Sequence, residues 1–102
     1  MERVLCGLKF EWDPEKNEVN IKKHGISFEE AESVFEDEMA ITIYDVKHSG
    51  DEDRFIIIGI SRKLRELTVC HCCRNSDEAI RIISAWRATK KESELYERGI
   101  TM

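Results

Sequence analysis

Residues 80–87, IRIISAWR, run directly into ATKK. The first half of the run is β-branched and apolar, the composition of a short buried strand. Yet Arg81 sits inside it and Arg87 closes it. A guanidinium in a strand interior must reach solvent, a carboxylate or a phosphate, because burying it bare costs too much. Two residues further on, Thr89-x-x-Glu92 is a capping box, which satisfies two backbone N–H groups at a helix start. A core strand therefore hands over at once to a helix with a basic first turn. Any fold for this chain has to accommodate that junction.

The other elements read in order. Residues 4–12 form a first strand, broken or bulged near Gly7, with Phe10 and Trp12 on one face. Asp13-Pro14 opens a helix that stops at Gly25. Its inward spacing is oddly polar: Asn17, Asn20, Ile21 and His24 fall at i, i+3, i+4 and i+7. The ordinary expectation is a surface helix anchored by Val19 and Ile21. The sharper one has Asn17 and His24 bonding across to the sheet or a ligand. Ser27-x-x-Glu30 caps a second helix, with Ile26 stapled to Ala31 and with Phe28, Ala31, Val34 and Phe35 as a core stripe. Its other side, Glu29, Glu30, Glu32 and Glu36, reads as solvated. Strands follow at residues 40–46, 54–61, 66–74 and 79–87, with turns at Ser49-Gly50, 62–65 and 75–78. Connections this short make antiparallel neighbours. A last, thinly apolar helix spans about residues 90–98 and ends at Gly99. The order β-α-α-β-β-β-β-α is an α+β fold: an antiparallel sheet with the first two helices on one face.

The 102 residues make one domain. No apolar run approaches the roughly 18 residues of a membrane helix, and the N-terminus does not read as a signal peptide. Together these point to a cytoplasmic protein with no membrane partner. The net charge of −5 is unevenly spread: residues 1–53 carry 6 basic and 15 acidic side chains, residues 54–102 carry 10 and 6. Arg54, Arg62, Arg65, Arg74, Arg81 and Arg87 lie on or beside the expected strands. On charge alone they line solvated strand edges, but such a segregation can also give an acidic protein a basic face.

The cysteines do not read as a disulfide framework. Cys70-x-x-Cys73 with His71 between has zinc spacing, but no second ligand pair follows and the segment is a strand. Reduced, buried thiols are the expectation, and nothing calls for a metal or other cofactor.

Phe10-Glu11-Trp12-Asp13, Asn20 with residues 23–31 (KHGISFEEA), Phe35, Asp45, Arg54-Phe55-x-x-x-Gly59, and residues 80–85 (IRIISA) through Ala88-Thr89-x-x-Glu92 to Tyr96-Glu97 resemble the BrnT family. This family is the ribonuclease toxin half of the type II BrnT/BrnA toxin–antitoxin module. The resemblance implies a RelE-like fold, RNA as substrate, and neutralisation by a BrnA-like ribbon-helix-helix antitoxin. It also implies promoter DNA bound only through the complex, and a dimer or a toxin–antitoxin heterotetramer. Two positions depart from the family pattern: Trp86 stands where an arginine is usual, and Cys73 where an aromatic is expected.

Cleaving RNA without a metal requires deprotonating a 2′-hydroxyl, stabilising phosphorane charge and protonating the 5′-oxygen. Arginine meets the second need with a fixed fork matched to phosphate oxygens. The expected clamp is Arg74 and Arg81 on adjacent strands, assisted by Arg87. His24 or His71 would move protons, and Lys23 and Arg62 would hold substrate. The rival is a non-catalytic binding module, or a degenerate toxin serving only as antitoxin partner and co-repressor.

Overall fold

The computed structural model describes residues 2–5, 8–47, 50, 52–74 and 79–99, with backbone alone for 2–5 and 74. Its elements are β1 (Glu2–Leu5), β2 (Leu8–Glu11), α1 (Pro14–His24) and α2 (Phe28–Ser33), which continues into one 3-10 turn (Val34–Glu36). Then come β3 (Ile41–Tyr44), β4 (Arg54–Ile60), β5 (Glu66–Arg74), β6 (Ala79–Arg87) and α3 (Lys90–Arg98). The breaks expected at Gly7, Ser49 and residues 75–78 lie outside the described residues.

The helix ends form where local chemistry demands them. Asp13 accepts the Glu15 N–H at 2.9 Å and Pro14 takes the first turn of α1. Gly25 closes α1 in the left-handed region at φ 71°, donating its N–H to Ile21 O. Ser27 caps α2 and Thr89 with Glu92 caps α3 reciprocally.

The six strands lie in the order β1-β2-β6-β5-β4-β3. Two expectations change here. The single broken strand over residues 4–12 is a pair, β1 antiparallel to β2. The sheet is also not wholly antiparallel, because β2 runs parallel to β6. Short connections force antiparallel pairing only between neighbours in sequence, and most of the chain separates β2 from β6.

One sheet face carries the core. Phe10, Ile57, Leu67, Val69, Ile82 and Ala85 meet Ile26, Phe28, Ala31 and Val34, with Trp12 in the same cluster and Phe35 packed against it. The stripe expected for α2 is therefore the buried one. Its acidic side is not simply solvated: Glu30 and Glu32 are buried. Glu30 accepts from Ser61 Oγ at 2.7 Å and pairs twice with Arg65, through Nε at 2.9 Å and through Nη2. Burial alone would raise its carboxyl, but the Arg65 and Ser61 hydrogen bonds outweigh it and hold Glu30 below the ordinary value.

α1 is held differently from the expectation. Val19 is 61% exposed and Ile21 is 38% exposed, so neither anchors it. The buried residue is Asn20. β2 pairs with β6 only as far as Arg81, which leaves the edge of β6 beyond it without a strand partner. There Asn20 donates to Ala85 O at 2.9 Å and accepts from Ala85 N–H at 3.1 Å. It also donates to Ile26 O at 2.9 Å. One amide thus replaces a strand along this edge and fixes the loop between the two helices. Asn17 adds a fourth bond, accepting from Phe28 N–H at 2.8 Å. Asn17 and Asn20 are the inward part of the polar stripe, satisfied by backbone, whereas Ile21 and His24 are exposed.

Asn20→Ala would leave buried backbone groups at Ala85 and Ile26 without partners. Each such group costs about 1–3 kcal/mol, so an overall loss of about 3 kcal/mol is expected in chemical denaturation. Val19→Ala, on the exposed face, should change the midpoint little.

Candidate functional site

Successive residues of β5 face opposite ways. Leu67 and Val69 face the core, and His71 packs edge-on against Phe35 with ring centroids 4.9 Å apart. Thr68, Cys70 and Cys72 face the second side of the sheet. Cross-strand pairing sets what stands beside them. Cys72 pairs with Arg54 of β4 and with Arg81 of β6. Cys70 pairs with Ile56 and Ser84, and Thr68 pairs with Ile58 and Trp86.

The register contains one irregularity, and it decides the site. Cys70 pairs with Ser84 but His71 pairs with Ile82, so Ile83 is an extra residue on β6. Strict alternation would put Arg81 and Arg87 on one face and Trp86 on the other. The bulge at Ile83 reverses this. Arg81, Ser84 and Trp86 now share the second face, and Arg87 moves to the side of Leu67.

Arg81 and Arg54 flank Cys72, roughly 10 Å apart at the backbone by two strand spacings. Glu11 lies beyond Arg81, its Oε1 3.7 Å from the Arg81 Nη1, in a pair that is 30% and 21% exposed. On the far side Asp45 donates its N–H to Arg54 O at 2.8 Å. The row Glu11–Arg81–Cys72–Arg54–Asp45 crosses the sheet from β2 to the end of β3.

α3 closes one end of this face. The Glu92 Oε1 accepts from Thr68 Oγ1 at 2.9 Å, from Trp86 Nε1 at 3.1 Å and from Thr89 N–H at 2.9 Å. At the other end of the helix Tyr96 donates to Asp37 Oδ2 at 2.6 Å, and the same oxygen takes the Ile60 N–H at 2.8 Å. Burial and the Asp37 bond push the Tyr96 hydroxyl up to about 12. What α3 leaves uncovered is an open pocket of about 420 Å³ lined by Tyr44, Asp45, Arg54, Ile56, Cys70, Ile83, Ser84, Trp86 and Glu92. Burial raises the Cys70 thiol, so the floor of the pocket is a neutral sulfhydryl. A second pocket of about 350 Å³ lies across β6 and shares Ile83 and Ser84 with the first. Its outer wall is α1, with Lys16, Asn20, Lys23 and His24.

The sequence candidates separate accordingly. Arg81 is on the open face, and Lys23 and His24 border the adjoining pocket. Arg74 ends β5 opposite Ala79, but its side chain lies outside the described part. Arg87 is exposed on the core side of the sheet, so it cannot reach the Arg81 face from β6. Arg62 sits on the β4–β5 turn, donating its N–H to Ser33 Oγ at 2.8 Å, among Glu29, Glu30 and Lys63. The clefts it borders, with Ser27 and Glu29 on one side and Ser33 and Glu36 on the other, do not include Arg81. His71 is buried between Phe35 and Phe55, and burial holds its imidazole down at about 4. Cys70 faces the opposite side of the sheet from His71 and Cys73, so the zinc spacing cannot converge on one ion; Cys70, Cys72 and Cys73 form no disulfide. Among the described residues no group of three or more His, Cys, Asp or Glu side chains could hold a metal, and no helix is long and apolar enough to cross a membrane. Arg54, Ser84 and the facing of Trp86 are site features that sequence reading passed over. Arg54 was visible as the arginine opening an apolar strand, but its partner across Cys72 was not.

Fold and site together define a small α+β domain whose open sheet face sets two arginines beside a pocket. The model of the ribonuclease toxin BrnT of type II toxin–antitoxin systems matches residues 12–92, and the chain belongs to that family. It is similar to the 1.1 Å crystal structure of the Brucella abortus ribonuclease toxin, BrnT, at 26% identity. That match has a TM-score of 0.60 and covers 79% of this chain and 96% of the other. No curated protein matches the chain.

The buried His71 has a thermodynamic consequence. The unfolded chain takes up a proton near the ordinary histidine value of 6.5, whereas the native imidazole does so only at about 4. Stability conferred by keeping it neutral is therefore complete above 6.5 and declines as pH falls toward 4, by about 3 kcal/mol at most. His71→Phe should flatten this decline relative to wild type in denaturation series between pH 6.5 and 4. A parallel decline in both proteins would mean that His71 does not cause it.

Proposed function

We propose that this chain is an endoribonuclease toxin that cleaves RNA without a metal, and that the Arg54–Arg81 face is where it does so. The observation that carries this reading is the bulge at Ile83, which sets Arg81 on the same open face as Arg54. Two arginines on one face, on the strands either side of the small Cys72, bring two forks to a single phosphate. In the reaction the RNA 2′-oxygen attacks the adjacent phosphorus and the bond to the 5′-oxygen breaks. The arginines stabilise the dianionic phosphorane that forms between these events.

His24 supplies the proton transfer. It is exposed at the end of α1 and borders the pocket that adjoins the arginine face through Ser84. An imidazole has the nitrogens both to take the 2′-proton and to return one to the leaving oxygen. Lys23 beside it, and Lys16 two turns back on the same side of α1, hold the backbone of the strand as it leaves the clamp. Glu11 orients Arg81, and a partly exposed pair at 3.7 Å is weak enough to yield to a phosphate. The partner is a ribbon-helix-helix antitoxin that covers this face, with promoter DNA bound only through the complex.

Purified chain is expected to cut RNA in the presence of EDTA, and a 2′-deoxy residue at the cut site should block it. Arg54→Ala and Arg81→Ala should each lower the rate about 100-fold or more, as loss of a preorganised donor does elsewhere. His24→Gln should lower it as well. Loss of activity with Asp45→Asn but not with His24→Gln would transfer the proton role to Asp45. Undiminished cleavage by the double arginine variant would place the site elsewhere.

A further inference from the structure

We propose that Trp86 is a stacking platform for one unpaired nucleobase of a single-stranded RNA laid across β6, next to the phosphate held by Arg54 and Arg81. The inference rests on the ribonuclease reading and adds to it a base subsite on a named residue.

The indole is half-buried and forms part of the wall of the open 420 Å³ pocket. Its only polar atom is already engaged, since Nε1–H donates to Glu92 Oε1 at 3.1 Å. That oxygen is itself fixed by Thr68 and by the Thr89 backbone. The ring is therefore held at its edge, and ordering it costs a ligand little. What it offers the pocket is π surface rather than a hydrogen bond. Every base has a π face, so stacking here tolerates different bases.

The surroundings select for a nucleotide over a simple apolar ligand. Ile56, Ile83 and the neutral Cys70 thiol give an apolar floor. Arg54, in the same pocket, meets a phosphate, and the Ser84 hydroxyl and Asp45 carboxylate can meet the edge of a base. The volume lies within the roughly 300–1,000 Å³ typical of sites for small organic groups. The bulge at Ile83 is again what matters, because without it Trp86 would face the core side of the sheet. From the pocket the strand crosses Ser84 into the second pocket, so base and backbone are gripped on opposite sides of β6.

The test uses the full-length protein and a 2′-O-methyl RNA hexamer, which cannot be cleaved by 2′-oxygen attack. Binding of wild type and of every variant is read from the anisotropy of a fluorophore on the hexamer; in wild type, where Trp12 is only 1% exposed, quenching of the tryptophan emission also reports Trp86. Wild type should bind with quenching, and one abasic position in the hexamer should weaken binding. Trp86→Leu should bind about ten-fold to a hundred-fold more weakly, the usual scale of one lost base–aromatic contact, and should be indifferent to the abasic position. Trp86→Phe, which keeps a π face but loses the Glu92 bond, should stay within a few-fold of wild type. Equal losses in the Phe and Leu variants would overturn the proposal and leave Trp86 as a prop for α3. So would a Trp86→Leu protein that binds the hexamer as wild type does while Arg54→Ala/Arg81→Ala does not; in that case the clamp stands and only the base subsite fails. Absence of any hexamer binding, together with absence of RNA cleavage, would remove the ribonuclease reading itself.

Discussion

One inserted residue governs which side chains this sheet presents to solvent. A strand has a side-chain period of two, so a one-residue slip exchanges its faces from that point on. The slip at Ile83 falls between Arg81 and Trp86. N-terminal to it, β6 keeps Ile80 and Ile82 toward the helices. C-terminal to it, Ala85 takes the core role and Trp86 turns outward. Both halves of the strand thus supply the core, although the apolar residues are out of phase. The same slip turns outward the positions that build the pocket.

A strand bulged in mid-course needs its edge held, and β2 stops pairing before the bulge is reached. Asn20 takes over four residues beyond Arg81, at Ala85. This explains why α1 carries asparagines where a core helix would carry leucines. Its task is to satisfy backbone at a bare strand edge, and only a group with both a donor and an acceptor can serve Ala85 N–H and O together. Glu30 performs a similar service for the turn after β4. It binds Ser61 and Arg65, while Ser33, one helical turn on, takes the Arg62 N–H. The helices are docked on the sheet by apolar contact over its centre and by buried polar ties at its ends.

What the sequence disclosed follows from the range of the interactions involved. Helix ends depend on residues within a few positions, and Asp13-Pro14, Ser27, Thr89-x-x-Glu92, Gly25 and Gly99 mark them where they occur. Strands β4 to β6 are legible by composition. The polar stripe of α1 was visible as an anomaly, but its meaning depends on Ala85, 65 positions away. The burial of Glu30 depends likewise on Arg65, 35 positions away. The bulge has no local mark at all: Ile83 is as good a strand residue as Ile82, and only the competing pairings with β5 decide which of them is skipped. For that reason the family could be recognised from separated motifs while the membership of the arginine face could not. Alternation counted through an unseen bulge groups Arg87 with Arg81, and the pairing groups Trp86 with it instead.

Glu92 joins the last of these elements to the site. In the capping box its carboxylate needs only the Thr89 N–H. Here the same oxygen also takes the Thr68 hydroxyl and the Trp86 indole, one from the floor of the second face and one from the wall of the pocket. A helix with no buried residue of its own is thereby positioned by polar bonds at both ends, through Glu92 at the first turn and through Tyr96 to Asp37 at the last. Such bonds are directional, so they fix where the helix lies more sharply than a few apolar contacts would. They also make the start of α3 and the orientation of Trp86 a single property. A shift of the helix start would carry Glu92 away from the indole, and the pocket wall would lose its fixed edge at the same moment.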